Sequence, residues 1–204
     1  MRILNLILIV SLIFASGCTI TGFFIKDSCS NESIPALRDD CYAKLAINLT
    51  DLSGCDKIKD QRTVHYCYTG IAKKTNDIDV CNLIEDDPYW WDICFGSIAE
   101  STLDASLCFL IINVNNENKC FNAIATAKND FELCKPITNE TEKQRCFYTI
   151  ARQTNNIEIC SLLNTQVNQD ECLYKIARDT QNSTICSLIK INQIEERCYN
   201  KTTA

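Results

Sequence analysis

Residues 146–172 read CFYTIARQTNNIEICSLLNTQVNQDEC, and variants of this stretch recur along most of the chain. The cysteines alternate at gaps of 12 and 14 residues, with a single gap of 13 between Cys81 and Cys94. A fixed period of this kind indicates a repeat protein, here with a unit of about 26 residues that occurs about seven times. Fourteen of the 15 cysteines obey the period. They are Cys29, Cys41, Cys55, Cys67, Cys81, Cys94, Cys108, Cys120, Cys134, Cys146, Cys160, Cys172, Cys186 and Cys198.

An apolar stripe at helical spacing begins at the second cysteine of each repeat. In the quoted stretch it consists of Cys146, Phe147, Ile150 and Ala151, and Thr154 stands near the expected end of the helix. Residues three and four apart share one face of a helix, so the stripe predicts a first helix of about 12 residues per repeat. The small Ala permits a neighbouring helix to approach closely. The aromatic residues after the cysteine are expected in the core, and they are Tyr68, Phe95, Phe121 and Phe147.

A second, shorter helix of about eight residues is predicted around the first cysteine of each repeat. An Asp or Asn precedes it, and the oxygen of such a side chain can accept the free backbone N–H groups of a first helical turn. Neither helix is long enough to be stable alone in water, so each hairpin must pack against its neighbours, as in an α-solenoid. The predicted fold of residues 29–204 is therefore all-α, a solenoid-like array of about seven short helical hairpins stapled by disulfides. The candidate caps are Asp51, Asp77, Asp104, Asp130, Asn156 and Asn182.

Two disulfide connectivities suit the cysteine period. Pairing across the shorter gaps uses all fourteen cysteines, whereas pairing across the 14-residue gaps leaves Cys29 and Cys198 unpaired at opposite ends. The shorter gap also places its cysteines level with each other in a hairpin, while the longer gap offsets them by roughly 6 Å along the helix axis. We therefore predict pairing across the shorter gaps. The predicted bonds are Cys29–Cys41, Cys55–Cys67, Cys81–Cys94, Cys108–Cys120, Cys134–Cys146, Cys160–Cys172 and Cys186–Cys198.

The start of the chain predicts export. Met1 and Arg2 supply a short positive region, residues 3–14 are almost wholly apolar, and the small residues Ala15-Ser16-Gly17 follow. A charged start, an apolar run of about a dozen residues and small residues before a cleavage point are typical of a secretory signal peptide. The apolar run is shorter than the roughly 20 residues that a membrane-spanning helix needs.

The run Ala-Ser-Gly-Cys18 resembles a prokaryotic lipobox, in which cleavage before the cysteine leaves its thiol to carry lipid. The resemblance implies a signal peptide over residues 1–17, lipidation at Cys18 and a tether over residues 18–28. Cys18 is also the one cysteine outside the repeat period. The alternatives are an uncleaved signal-anchor, or ordinary cleavage that leaves Cys18 as a free thiol.

The composition indicates which compartment the protein occupies and which class of partner it does not bind. Fifteen cysteines are natural in an oxidising exterior and unsuited to a reducing cytosol. Asp and Glu outnumber Lys and Arg by 26 to 20, and no basic stripe is present, which argues against nucleic-acid binding. We expect an extracytoplasmic, membrane-anchored protein at the cell surface or in the periplasm.

No sequence motif indicates a reaction. Structural zinc sites and thioredoxin-like redox sites use closely spaced cysteine pairs, and no C-x-x-C occurs. The single histidine, His65, is expected to be a surface side chain near the start of a helix. The acidic runs Asp39-Asp40, Glu85-Asp86-Asp87 and Glu195-Glu196 are expected just before the first helices, where negative charge complements the helix dipole. We therefore predict no catalytic residue, no enzymatic activity, no metal and no cofactor.

The candidate binding site is the stretch from Asp86 to Asp92, which contains Tyr89, Trp90 and Trp91 and lies in the irregular repeat. It holds both tryptophans of the chain, and aromatic side chains are common anchors of interfaces and of sugar-binding surfaces. The alternative is structural: Trp91 packs on Phe95 one turn later, and Pro88 begins the helix.

The repeat unit, Cys-Tyr/Phe-x-x-Ile-Ala-x-x-Thr-x-Asp, resembles the secreted or lipid-anchored cysteine-repeat proteins of prokaryotic, above all archaeal, genomes. The resemblance covers residues 29–198 and implies location and fold, without an activity. We therefore expect a lipid-anchored helical repeat scaffold at the cell surface that binds a protein or glycan partner or serves envelope structure. The alternatives are an envelope enzyme or accessory subunit whose site the sequence does not reveal, and a thiol-based metal or redox protein.

Overall fold

The computed structural model describes residues 29–202. Over that range the chain is helical and contains no strand, in a repeating array that confirms the predicted fold class. The described residues divide into two compact units, one that ends at Ile84 and one that begins at Glu85. The predicted signal peptide (residues 1–17), the tether (residues 18–28) and the lipidation site Cys18 lie outside the described residues.

The first unit contains two long helices, α1 (Pro35–Leu49) and α2 (Gln61–Thr75). Each is followed by a short 3₁₀ helix, over Leu52–Lys57 and Ile78–Leu83. The long and short helices alternate along the chain, as the hairpin repeat predicts.

The second unit continues the alternation. Its long helices are α3 (Pro88–Thr102), α4 (Val114–Lys128), α5 (Glu140–Thr154), α6 (Gln166–Thr180) and α7 (Asn192–Thr202). The short helices between them are Ala105–Leu110, Phe131–Cys134, Ile157–Cys160 and Ser183–Leu188. The last long helix spans 11 residues as far as the structure describes it, where the others have 15.

Each long helix starts six residues before its cysteine, which makes it longer than the predicted 12 residues or so. In α5, the side chain of Asn139 caps the first turn by accepting the N–H of Glu142 at 3.1 Å. The apolar stripe begins only at Cys146, so the polar first turns of the helix carry no periodic signal. At the other end, the hydroxyl of Thr154 donates to the carbonyl of Ile150 at 2.7 Å, and the helix ends there as predicted.

The short helices differ from the prediction. Most are 3₁₀ helices of six residues, about two turns, instead of amphipathic helices of about eight. The Asp or Asn cap accepts the N–H two residues later, as Asp104 does from Ser106 at 3.0 Å. The residue three after the cysteine then donates to the cysteine carbonyl, as Ile111 does to Cys108 at 3.1 Å. The short 3₁₀ helix therefore already buries both the cysteine and the Ile, and no longer helix is needed. All six predicted caps occupy the cap position: Asp51, Asp77, Asp104, Asp130, Asn156 and Asn182.

The disulfides join the short helix of a repeat to the long helix that follows. Their Cα atoms lie 5.6–5.8 Å apart, within the usual range for a disulfide. Cys81 and Cys94 are disulfide-bonded as well, so all fourteen cysteines of the described residues are oxidised. The pairs are Cys29–Cys41, Cys55–Cys67, Cys108–Cys120, Cys134–Cys146, Cys160–Cys172 and Cys186–Cys198, as predicted from the shorter gaps.

The stripe that defines the repeat forms the core. Its Ile and Ala residues are buried in every complete repeat, and so are Phe95, Phe121 and Phe147. Tyr68 was expected in the core but is only half-buried, because its hydroxyl keeps the ring end near solvent. Partial burial raises the pKa of Tyr68. The Ile and Ala residues are Ile71, Ala72, Ile98, Ala99, Ile124, Ala125, Ile150, Ala151, Ile176 and Ala177.

Six long helices end on a non-glycine residue in the left-handed region. Asn76, Asn129 and Asn155 tolerate this conformation, but Leu103 adopts it too, with φ 56°. A branched apolar residue is strained there, whereas Asn is among the residues that visit the region routinely. We expect Leu103→Asn to stabilise the protein by about 0.5–1 kcal/mol, measured as a raised midpoint of urea unfolding. The reciprocal change Asn129→Leu should lower it, and equal midpoints for both variants would contradict the assignment.

Candidate binding site

A polar residue lies two positions before the second cysteine in each repeat, and several of these side chains are buried. In α3 the carboxylate of Asp92 accepts the backbone N–H groups of Ile112 at 2.7 Å and Asn113 at 3.0 Å. In α6 the carboxylate of Asp170 does the same for Lys190 at 3.1 Å and Ile191 at 2.8 Å. Each side chain thus satisfies the backbone just before the next long helix, about 20 residues later. The position carries Asp39, His65, Asp92, Asn118, Gln144, Asp170 and Glu196.

Burial at this position corrects two sequence-based expectations, and the run Glu195-Glu196, which was expected just before a long helix, lies within α7. Asp39 does not precede α1 as a dipole-complementing charge; it is buried in the second turn and accepts the N–H groups of Lys59 at 3.1 Å and Asp60 at 3.0 Å. His65 is not a surface side chain but is only 4% exposed. Its Nε2 lies 2.9 Å from the amide nitrogen of Gln61. A short-range pattern could not reveal the placement of Asp39, because its backbone partners lie 20 and 21 residues away.

The three aromatic residues predicted as a binding site lie in the first turn of helix α3, and their environments differ. Asp87 caps the helix by accepting the N–H groups of Tyr89 at 3.1 Å and Trp90 at 3.2 Å, and Pro88 occupies the first helical turn as expected. Trp91 packs on Phe95, with ring centroids 4.8 Å apart, as in the structural alternative. Tyr89 is 64% exposed.

Trp91 has a second structural role. Its indole N–H donates to the backbone carbonyl of Leu110 at 3.0 Å, which ties α3 to the segment before α4. Trp90 is half-buried and its ring meets that of Tyr89 edge-on, with centroids 5.8 Å apart. The structure therefore separates a packing residue, Trp91, from an exposed aromatic surface that is centred on Tyr89.

Tyr89 lies on the wall of a groove between α3 and α4, which we call the α3–α4 groove. Its volume is about 390 Å³, within the range of about 300–1,000 Å³ that is usual for small-ligand sites. Apolar walls are contributed by Ile93 and Ile111. The other lining residues used below are Tyr89, Gly96, Ser97, Glu100, Asn116 and Lys119.

The floor of the groove contains a glycine that packing does not require. A Cβ added at Gly96 would meet only the Cδ1 atom of Ile111, at an ordinary contact distance of 3.6 Å. At Gly54, by contrast, an added Cβ would lie 2.7 Å from the Cβ of Ala46, so close packing demands glycine there. Glycine inside a helix costs about 0.5–1 kcal/mol relative to alanine. Gly96 is thus a destabilising choice that leaves the groove open.

Exposed apolar side chains cluster in the segment that leads from the preceding short helix into α4. Phe109 and Ile112 are each 64% exposed, and Leu110 and Val114 are also exposed. The segment supplies Ile111 to the groove wall. No charged residue occurs between Asp104 and Glu117, so this segment brings no charged side chain to the α3–α4 groove.

A second surface feature lies on α5, α6 and α7. Arg152 and Arg178 each bond to Asp179 at 2.6 Å, and these bonds hold the pKa of Asp179 below its ordinary value. Arg197 lies over the ring of Tyr174, 4.4 Å from its centroid, and pairs with Glu171. Arg152 and Arg178 share the carboxylate of Asp179 and Arg197 pairs with Glu171, so three guanidinium groups face two carboxylates on this surface.

Within residues 29–202, no three His, Cys, Asp or Glu side chains converge as metal ligands. No helix in that range combines the length and apolar character that crossing a membrane requires. The chain matches no protein-family model, no curated protein and no solved structure. The described residues thus form a disulfide-stapled helical repeat array. So many disulfides suit an oxidising compartment outside the cytoplasm.

Proposed function

We propose that this protein is a lipid-anchored, cell-surface repeat scaffold that binds a protein or glycan partner, without catalysing a reaction. The observation that carries the proposal is the exposed Tyr89 at the mouth of the α3–α4 groove, on an array whose described cysteines are all oxidised. Tyr is a common anchor residue of binding surfaces. Disulfide-rich repeats keep such a surface rigid in an oxidising exterior, where thiol reductants are scarce.

The lipid anchor is the part of the proposal that rests on the start of the chain. Cleavage before Cys18 and attachment of a diacylglycerol-type lipid would supply at least two acyl chains, enough for stable membrane attachment. The full chain, purified from its native membrane and alkylated without reduction, should give an N-terminal peptide that begins at Cys18 and carries a lipid mass. A peptide that retains residues 1–17, or an alkylated Cys18, would contradict the anchor.

The same alkylated sample tests the thiol-based alternative. The bonded state of the fourteen repeat cysteines supports the scaffold over metal storage or redox buffering, because both need free thiolates. We expect no alkylation at these positions. Many alkylated thiols would replace the scaffold with a thiol-based function.

Partner binding is tested on isolated cell envelopes. We expect the oxidised full chain in detergent micelles to bind envelope fragments saturably, and Tyr89→Ala to weaken that binding about tenfold or more, as loss of an anchor residue does. The matched control is Tyr199→Ala, which removes an exposed tyrosine from α7 at 38% exposure. Equal binding by both variants would show that Tyr89 is not part of the binding site. Absence of saturable binding would contradict a partner in the envelope.

A further inference from the structure

The α3–α4 groove has a glycine at a position where the next three repeats have larger side chains. Gly96 stands two residues after its cysteine, and the corresponding positions hold Asn122, Tyr148 and Tyr174 in the repeats that follow. The repeat therefore accommodates large side chains at this position, and an alanine would fit at Gly96 without a clash. Since glycine weakens a helix and packing does not demand it here, the open floor is the feature that glycine provides.

The groove has a flat aromatic wall and both signs of charge at its rim. Tyr89 offers an exposed ring, Glu100 offers an exposed carboxylate from α3, and Lys119 offers an exposed ammonium from α4. Their charges cancel, so charge alone favours neither an anion nor a cation. A ligand with many hydroxyl groups can both donate to the carboxylate and accept from the ammonium.

Further polar groups in the groove are held in fixed positions. The amide nitrogen of Asn116 donates to the carboxylate of Asp92 at 3.0 Å, and Asp92 is itself fixed by two backbone N–H groups. The hydroxyl of Ser97 donates to the carbonyl of Cys94 at 2.9 Å, which leaves its oxygen lone pairs to accept a bond. Fixed polar groups give orientation and selectivity to a ligand without a large ordering cost.

A peptide fits these walls less well than a sugar does. The walls are helices, whose backbone groups are bonded internally, so they offer no edge to which an extended peptide could add as a strand. An amphipathic helix would need a continuous apolar groove, and Glu100, Lys119 and Ser97 interrupt this one. A sugar ring instead has an apolar face for Tyr89 and hydroxyl groups for the polar residues.

We infer that the α3–α4 groove binds an uncharged glycan of two or three residues, with a sugar ring stacked on Tyr89 over the floor at Gly96. The inference rests on the proposed binding function and names the ligand class of that site. Glu100, Lys119 and Ser97 bond the hydroxyl groups, and Ile93 and Ile111 contact the apolar face.

The test uses the oxidised full chain in zwitterionic detergent, which carries no sugar headgroup. The probes are maltotriose, N,N′-diacetylchitobiose and mannobiose, and the measurement is saturation-transfer NMR with a titration for affinity. We expect at least one probe to show transfer to its ring protons. Gly96→Leu fills the floor and should weaken binding about tenfold or more, as should Tyr89→Ala. Because leucine favours helix more than glycine does, Gly96→Leu should melt at or above the parent temperature, which separates blocked binding from misfolding.

The matched control is Asn122→Leu, which places the same side chain at the equivalent position of the next repeat and should leave binding unchanged. Absence of transfer from all three probes would overturn the inference. So would transfer that Gly96→Leu leaves unaltered, because the sugar would then bind elsewhere. Tyr89-dependent binding of envelopes that persists without any sugar transfer would reject the glycan and retain the proposed function. Stronger transfer to an uncharged hexapeptide than to the sugars would assign the groove to a peptide instead.

Discussion

Reduction of the oxidised chain should abolish most of its helical circular dichroism at 25 °C. Each repeat holds one long helix of about 15 residues and one short turn, and helices of this length are marginal when isolated in water. A disulfide that closes a loop of this size contributes roughly 3 kcal/mol in the chain-entropy model. Typical free energies of unfolding are about 5–15 kcal/mol. The stabilisation lost with all of the disulfides is larger than this, so the remaining contacts cannot keep the array folded.

Removal of a single disulfide is a milder form of the same experiment. Replacing both Cys160 and Cys172 by Ala removes one internal bond, whose Cα atoms lie 5.6 Å apart, and should lower the free energy of unfolding by about 2–4 kcal/mol. The matched control removes Cys186 and Cys198 from the last repeat, where fewer neighbours depend on the staple. Helicity and urea midpoint that stay unchanged after complete reduction would show that the bonds are not what stabilises the array.

Asp170→Ala should be the most destabilising single substitution outside the cysteines. The side chain is fully buried and accepts three hydrogen bonds, from Gln166 at 2.8 Å and from the backbone of Lys190 at 3.1 Å and Ile191 at 2.8 Å. Removing it leaves buried donors without an acceptor, and each such group costs about 1–3 kcal/mol. We expect a loss of about 3–5 kcal/mol, measured by urea unfolding monitored at 222 nm.

Two variants distinguish this role from simple loss of volume. Asp170→Asn keeps one acceptor oxygen at the same place and should cost less than the alanine. Gln144→Ala changes the equivalent residue of α5, which is half-buried and accepts a backbone bond from Asn164 at 2.8 Å, and should cost about 1 kcal/mol. If Asp170→Ala cost no more than Gln144→Ala, the bonds between repeats would contribute little.

The residues that sequence reasoning placed correctly act over short distances. The cap at Asp104 and its acceptor bond from Ser106 involve neighbouring residues, and the stripe of Phe147, Ile150 and Ala151 follows directly from 3.6 residues per turn. The pairing of Cys160 with Cys172 follows from the period together with the reach of a disulfide. These features depend on local geometry repeated along the chain, and such geometry is visible in the order of residues.

The sequence predicted the candidate binding surface only in part. The stretch from Asp86 to Asp92 contains the exposed Tyr89 of that candidate surface, but the three aromatics looked equivalent in sequence. Trp91 packs on Phe95 and donates to the carbonyl of Leu110, whereas Tyr89 has a largely exposed ring. Gly96 belongs to no sequence motif, because the effect of its missing side chain depends on which residues lie opposite it in the fold.

The period, the helical class, the caps and the pairing of cysteines could be determined from the order of residues alone. Only the tertiary structure decided which polar residues are buried between repeats, how short the second helix is, and where a groove opens. The physical reason is the distance in sequence over which each feature is formed. Asp92 meets Ile112 and Asn113, 20 and 21 residues later, and a helical or turn pattern does not encode a contact of that range.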